Sequence, residues 1–198
     1  MKEYIVSCIN IIKNKKFIHY FILYSSIFIF SFIVSAIIGF KITGLSDGVV
    51  FFVTNYTSLR FNDGGMIAIL ANNFFVSMIL VYYFYSSDPD TFKKFLGVFY
   101  FSYMGAIAGL LISKVAIMSN LVIALSLIVP HGIIEIPTII YAVSSGWVLS
   151  GLKGKSGSKI PRELIYTFVA LFVLLGISAY IECNITLDIY KMALSYYR

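Results

Sequence analysis

The sequence predicts an all-α fold: a polytopic integral membrane helix bundle with about five transmembrane helices plus a short re-entrant or interfacial segment. Three observations carry that expectation. Of the 198 residues, 60% are apolar and only 12% charged, about half the roughly 25% of an average soluble domain. The mean hydropathy is +0.91. The apolar residues gather in uncharged runs long enough for a ~30 Å hydrocarbon core, which takes about 20 helical residues. Such a composition leaves too little polar surface to cover a soluble globule. Its 17% aromatic content also excludes a disordered chain, which is poor in aromatics and rich in charge. No charged stretch is long enough for a second, soluble domain, so residues 1–198 read as one membrane domain.

The first span is expected over Phe17–Phe40, after Lys13, Lys15 and Lys16. Its apolar core is longer than the 7–15 residues typical of a secretory signal, so the segment is expected to be retained. The second span covers Met66–Tyr85 and the third Phe95–Ser113. Between Val115 and Leu152 lie 38 residues without Lys, Arg or Asp. As one helix they would measure about 57 Å at 1.5 Å per residue, so the stretch must break. Pro130 is the expected place, because proline suits the first turn of a helix and disfavours helical geometry just before it. This predicts a short apolar segment over 120–129, then a fourth span over 130–150. The fifth span covers Leu164–Ile181. The loop from Lys41 to Gly65 mixes an apolar Val49–Val53 with Asn55, Thr57, Arg60, Asn62 and Asp63, which fits an interfacial segment or an ordinary packed loop. Gly151–Pro161 reads as a flexible basic loop.

The 15 basic against 9 acidic residues raise the question of nucleic acid, yet the basic residues sit in short segments between apolar runs and form no aromatic-interleaved basic face. They act as topology signals. With five spans and an inside N-terminus, ten of the fifteen fall inside: Lys2, Lys13, Lys15, Lys16, Lys93, Lys94, Lys153, Lys155, Lys159 and Arg162. That bias predicts the cytoplasmic membrane with the N-terminus inside and the C-terminus outside.

The residues that carry chemistry lie in Pro130-His131-Gly132-Ile133-Ile134-Glu135-Ile136-Pro137. A carboxylate inside a spanning helix costs about 2.5–3.5 kcal/mol on insertion scales, so it persists where it has a partner, a cavity or a task. The four-residue spacing of His131 and Glu135 puts both on one helix face, one turn apart. Topology places Glu182, at the end of the fifth span, at comparable depth, together with Asn72 and Asn73 as supporting polar groups in the second. One imidazole and two carboxylates make a donor set for zinc with one position left for water. The metalloprotease spacing HExxH is absent, because Gly132 stands where its general base would be. If the site is catalytic, the base falls to Glu182 or Glu135. A buried hydrogen-bonded pair gluing helices together is the structural alternative. Small residues, Ala142 and Gly146, continue the same face, and Gly105 and Gly109 form a GxxxG in the third span. Both stripes suit close helix packing, within the chain or in a homodimer.

The Pro130–Pro137 stretch resembles the stage II sporulation protein M family, whose members carry proline-histidine-glycine and then a glutamate within a membrane helix. Ala71-Asn72-Asn73 and Ile181-Glu182 followed by Ile185-Thr186 are similar to two further family stretches. Met104-Gly105 stands where an asparagine-glycine is family-like. The resemblance implies several spans, no soluble catalytic domain and work inside envelope complexes with other membrane proteins. It also implies relatives that accompany circular bacteriocin maturation and export, and a metal site carried here by His131, Glu135 and Glu182.

Three function classes follow. The first is a scaffold or export and maturation partner in a complex handling a peptide or an envelope polymer. The second is an intramembrane metal-dependent peptidase. The third is a small oligomeric transporter, which a chain this short could form only by oligomerising.

Overall fold

A computed structural model of the chain describes residues 6, 9–41, 65–86, 91–118, 120–151 and 161–196. Within the helices, the side chains of Thr91, Met118, His131, Leu187, Tyr190 and Leu194 lie outside that description. So do the interiors of the expected interfacial loop after Lys41 and of the basic loop after Gly151.

The elements are α1 (Lys15–Lys41), α2 (Gly65–Ser86), α3 (Thr91–Met118), α4 (Leu121–Ser150), α5 (Arg162–Tyr180), a π-helical turn (Ile181–Thr186) and α6 (Leu187–Tyr196). Helix is the form an apolar run takes in lipid, because every backbone N–H and C=O must be satisfied within the segment. Five stretches are long and apolar enough to cross a membrane: Lys15–Lys41, Gly65–Ser86, Phe92–Ile117, Gly132–Ser150 and Arg162–Ala193. The chain is a multi-pass, all-α membrane protein.

Two boundaries differ from expectation. The long uncharged stretch breaks at Asn120 rather than Pro130, and Leu121–Ser150 is one helix with Pro130 and Pro137 inside it. Asn120 makes the better start, since its side chain accepts the Val122 N–H at 2.9 Å and caps the helix. The two prolines each remove one backbone donor, a loss a helix flanked by other helices tolerates. Leu121–Pro130 is therefore the apolar N-terminal portion of α4, not a separate segment. The fifth span does not end at Ile181 either: α5 runs on through the π-helical turn into α6, which puts Glu182 inside a continuous helical rod.

α4 is the centre of the bundle. Of its spanning window, 67% is buried, against 6% for α1, 22% for α2 and 28% for α3, and it packs against α1, α2, α3, α5, the π-helical turn and α6. The directions of the helices follow from individual contacts. A side chain on Gly105 or Gly109 of α3 would collide with the backbone carbonyls of Phe28 and Phe32 in α1, so these two helices run parallel in backbone contact. A side chain on Gly146 of α4 would meet Phe84 Cβ at 2.7 Å and the Val81 carbonyl oxygen at 2.9 Å in α2. Phe84 and Gly146 are as far apart in sequence as the hydrogen-bonded Asn73 and Glu135, 62 residues, so α2 and α4 are also parallel. Parallel alternate helices are what consecutive membrane crossings that reverse direction require. Both small-residue stripes are thus used inside one chain.

Aromatic rings lock the other end. Trp147 of α4 donates its indole N–H to the Tyr24 hydroxyl of α1 at 2.9 Å and stacks on Tyr20 at 4.6 Å. It also lies 5.4 Å from Phe84 of α2, while Tyr24 meets Phe101 of α3 at 5.0 Å. Aromatic pairs add about 0.5–1.5 kcal/mol beyond area burial, so this cluster ties four helices. Lys93, at the start of α3, is buried with its ammonium 5.9 Å from the Tyr83 ring centroid, a cation–π contact between α2 and α3.

The α1–α3 contact gives a direct test. Gly109→Ala is expected to lose about 1–3 kcal/mol, the usual cost of overpacking, and to melt earlier in detergent. Gly176→Ala, where an added Cβ meets nothing within 4 Å, is expected to hold its melting temperature or raise it. Equal melting of both variants would contradict the backbone contact.

Candidate polar site between helices α2, α4 and α5

The site grows from one interhelical hydrogen bond. Asn73, 8% exposed on α2, donates its amide Nδ2–H to Glu135 Oε1 on α4 at 2.9 Å. Asn72 in turn donates Nδ2–H to Asn73 Oδ1 at 3.3 Å. The two amides form a head-to-tail relay with its positive ends aimed at the acid, an arrangement in which each bond polarises the next. Neighbouring residues on a helix point about 100° apart. Asn73 therefore faces α4 while Asn72 is exposed and acts only through it.

Ser77, one turn further along α2, is fully buried, and its hydroxyl has no hydrogen-bond partner among the described residues. On α4 the next turn carries Thr138, whose hydroxyl bonds back to the Ile134 carbonyl oxygen at 2.7 Å.

Glu182 enters from the other side. From Arg162 it lies 20 residues along its helical rod, about 30 Å, and from Ser150 back to His131 is 19 residues, about 28 Å. By length alone, a rod returning antiparallel along α4 would bring Glu182 toward the half of α4 that carries His131. The π-helical turn that carries it packs against α4 and α2, and Glu182 itself is 4% exposed. A buried acid on a π-helical turn is a frequent mark of a functional position. In the same turn Thr186 is 2% exposed, and its hydroxyl has no hydrogen-bond partner among the described residues.

The residues expected to form the site are therefore distributed as follows. Glu135 and Asn73 are in contact and Asn72 supports them, while Glu182 is buried on the π-helical turn that packs against α4. The imidazole of His131 lies outside the described side chains, although its backbone is part of α4. Among the described residues no group of three His, Cys, Asp or Glu side chains stands close enough to hold a metal ion; the expected triad includes His131 and lies outside that statement. By donor type alone, two carboxylates suit a divalent cation. Gly105, Gly109 and Gly146 pack against neighbouring helices, and Ala142 is buried in the core.

A groove of about 630 Å³ lies away from this chemistry, between α1, α3 and another side of α4, lined by residues such as Phe28, Phe32, Ala108, Gly132, Ile133 and Pro137. Among the described residues no titratable side chain lines it. Gly132 leaves this groove open, since a side chain there would meet nothing nearer than Ile136 Cδ1 at 3.6 Å.

Ser77 escapes a reading of the sequence, because a serine in an apolar run carries no positional signal. Thr186 did carry one, its four-residue spacing from Glu182. No protein family, curated protein or solved structure gives a significant match to the chain.

The Asn73–Glu135 bond predicts measurable coupling. A double-mutant cycle with Asn73→Ala and Glu135→Gln, read from reversible unfolding in detergent or bicelles, is expected to give about 0.6–1.7 kcal/mol, the range of interhelical polar contacts in a membrane. Strict additivity would mean that the two side chains do not meet.

Proposed function

We propose that the protein is a noncatalytic scaffold, or an export and maturation partner, in a membrane complex that handles a peptide of the circular-bacteriocin type or an envelope polymer. Its organising element is a zinc site on His131, Glu135 and Glu182, with Asn72 and Asn73 holding Glu135 in place. In this reading it lies in the cytoplasmic membrane with its N-terminus inside, its polar site in the outer leaflet and its C-terminus outside. The resemblance of Pro130–Pro137 to the stage II sporulation protein M family supplies the context of other membrane proteins as partners.

The observation that carries the reading is the Asn73–Glu135 hydrogen bond at 2.9 Å. An acid held in a span by an amide from a neighbouring helix is anchored as a metal ligand is anchored, by a group that fixes its orientation. When bound, zinc can polarise a carbonyl or acidify a water. Hydrolysis would also need an approach for a peptide bond, and the 4% exposure of Glu182 favours a closed, structural site over the peptidase alternative.

Elemental analysis tests the reading. Purified wild-type chain is expected to carry close to one zinc, and His131→Ala, Glu135→Ala and Glu182→Ala to lose at least about tenfold in occupancy. The same variants are expected to release partners from complexes purified in mild detergent, while the wild-type protein alone cleaves no candidate peptide. Equal, negligible zinc in all four proteins would remove the site, and chelator-sensitive cleavage would replace the scaffold with the enzyme.

A further inference from the structure

The groove between α1, α3 and α4 has no part in the polar site. α1 is pinned to α3 along its length: side chains on Gly105 and Gly109 would run into the carbonyls of Phe28 and Phe32, and one on Gly39 into Ser113. Rings hold it to α4 at the Trp147 end, where Tyr24 and Tyr20 meet the indole. Further along, toward Gly132, the groove of about 630 Å³ opens between the two helices. Its floor, with Phe28, Ile112 and Ile140, is buried, and its lips, Ile29, Ile33 and Ile133, are exposed. All six lie inside stretches long enough to cross a membrane, so the groove opens to hydrocarbon rather than to water.

Gly132 lines the same groove. Glycine is a poor residue for a helix interior, and at Gly105, Gly109 and Gly146 the backbone of a neighbouring helix accounts for it. At Gly132 an added Cβ would meet only Ile136 Cδ1 at 3.6 Å and Ile128 Cγ2 at 3.9 Å among the described residues, both on α4 itself. What the missing side chain keeps clear is the groove.

That space must be filled, because an empty one forfeits the dispersion contacts of its lining. Water does not suit it: Ser25 is the one polar side chain among the described lining residues, and a buried water needs two to four polar partners. A helix of a second copy is too thick. A cylinder 10–12 Å across takes roughly 120–170 Å³ per residue, so the groove would admit about five residues at most, little more than one turn. A single file of carbon atoms, about 4 Å across at contact, needs far less, so one whole hydrocarbon chain goes in.

We propose that this groove is a lipid site that takes one acyl chain of a bilayer phospholipid, with Gly132 keeping its floor clear. The site is independent of the zinc reading. Since lipid offers no hydrophobic force to drive the chain in, dispersion against the aromatic and branched lining holds it, and retention depends on the open floor.

The test is photo-labelling of the full-length chain in vesicles of phosphatidylethanolamine and phosphatidylglycerol, a trace of the latter carrying a diazirine near the end of one acyl chain. In wild type the label is expected to concentrate severalfold on Ile29, Ile33 and Ile133 over Phe75, an exposed residue of α2 outside the groove. Gly132→Leu is expected to bring the groove down to the level of Phe75. Gly176→Leu, the same exchange on α5 where an added Cβ meets nothing within 4 Å, is expected to keep the wild-type pattern. Even labelling of groove and Phe75 in wild type, or a wild-type pattern in Gly132→Leu, would overturn the proposal. So would cross-linking of Ile133→Cys between copies in a background without Cys8 and Cys183, which would seat a second copy there. In lipid-free detergent Gly132→Leu is expected to melt no lower than wild type, since leucine is the better helix former and enters open space. Lower melting would mean that protein fills the groove, and would overturn the proposal as well.

Discussion

The bundle is organised by the refusal of lipid to solvate a carboxylic acid. An acid in mid-span costs about 2.5–3.5 kcal/mol at insertion. Glu135 therefore has to be matched by other helices. Asn73 supplies a direct hydrogen bond from α2, while the second buried acid, Glu182, sits on the π-helical turn that packs against α4 and α2. The central position of α4, two-thirds buried in its spanning part, follows from this: the helix that carries the acid must be surrounded.

Packing makes that arrangement rigid. Glycines bring α3 onto the backbone of α1 and α4 onto that of α2, where dispersion and close approach replace a hydrophobic force that lipid does not provide. At the far end from the acids, Trp147, Tyr24, Phe84 and Phe101 bind four helices together. A clamp at one end and an acid-centred polar seam at the other leave the outer helix faces, such as Ile67, Phe75 and Phe99, free for lipid. The π-helical turn sits within the polar end, where a locally widened helix can present two polar groups to the interior.

Most of the fold was legible in the sequence, because a membrane imposes a length on every apolar run. Four of the five spans lie within a few residues of the expected bounds at their starts. The failures share one cause. Pro130 reads as a break by soluble-helix rules, yet in α4 the surrounding helices support the turn, and Asn120 caps the real start. Ile181 reads as an end because Glu182 follows, yet a buried acid is tolerated inside a rod that has partners. The acids and Asn73 were legible for the reason that polar residues in spans are rare. Ser77 was not, since only tertiary packing distinguishes it from other serines. The roles of Gly105, Gly109 and Gly146 followed from their spacing, but the choice of partner helix required the structure.

Cysteine cross-linking tests the convergence of the two acids most directly. In a background with Cys8→Ser and Cys183→Ser, the pair Glu135→Cys and Glu182→Cys is expected to form an intramolecular cross-link rapidly in native membranes with a short thiol-specific reagent. Ile133→Cys, on a side of α4 that is 66% exposed, is expected not to link to Glu182→Cys. Efficient linking at 133 with none at 135 would show that the acids face apart, and would contradict the account.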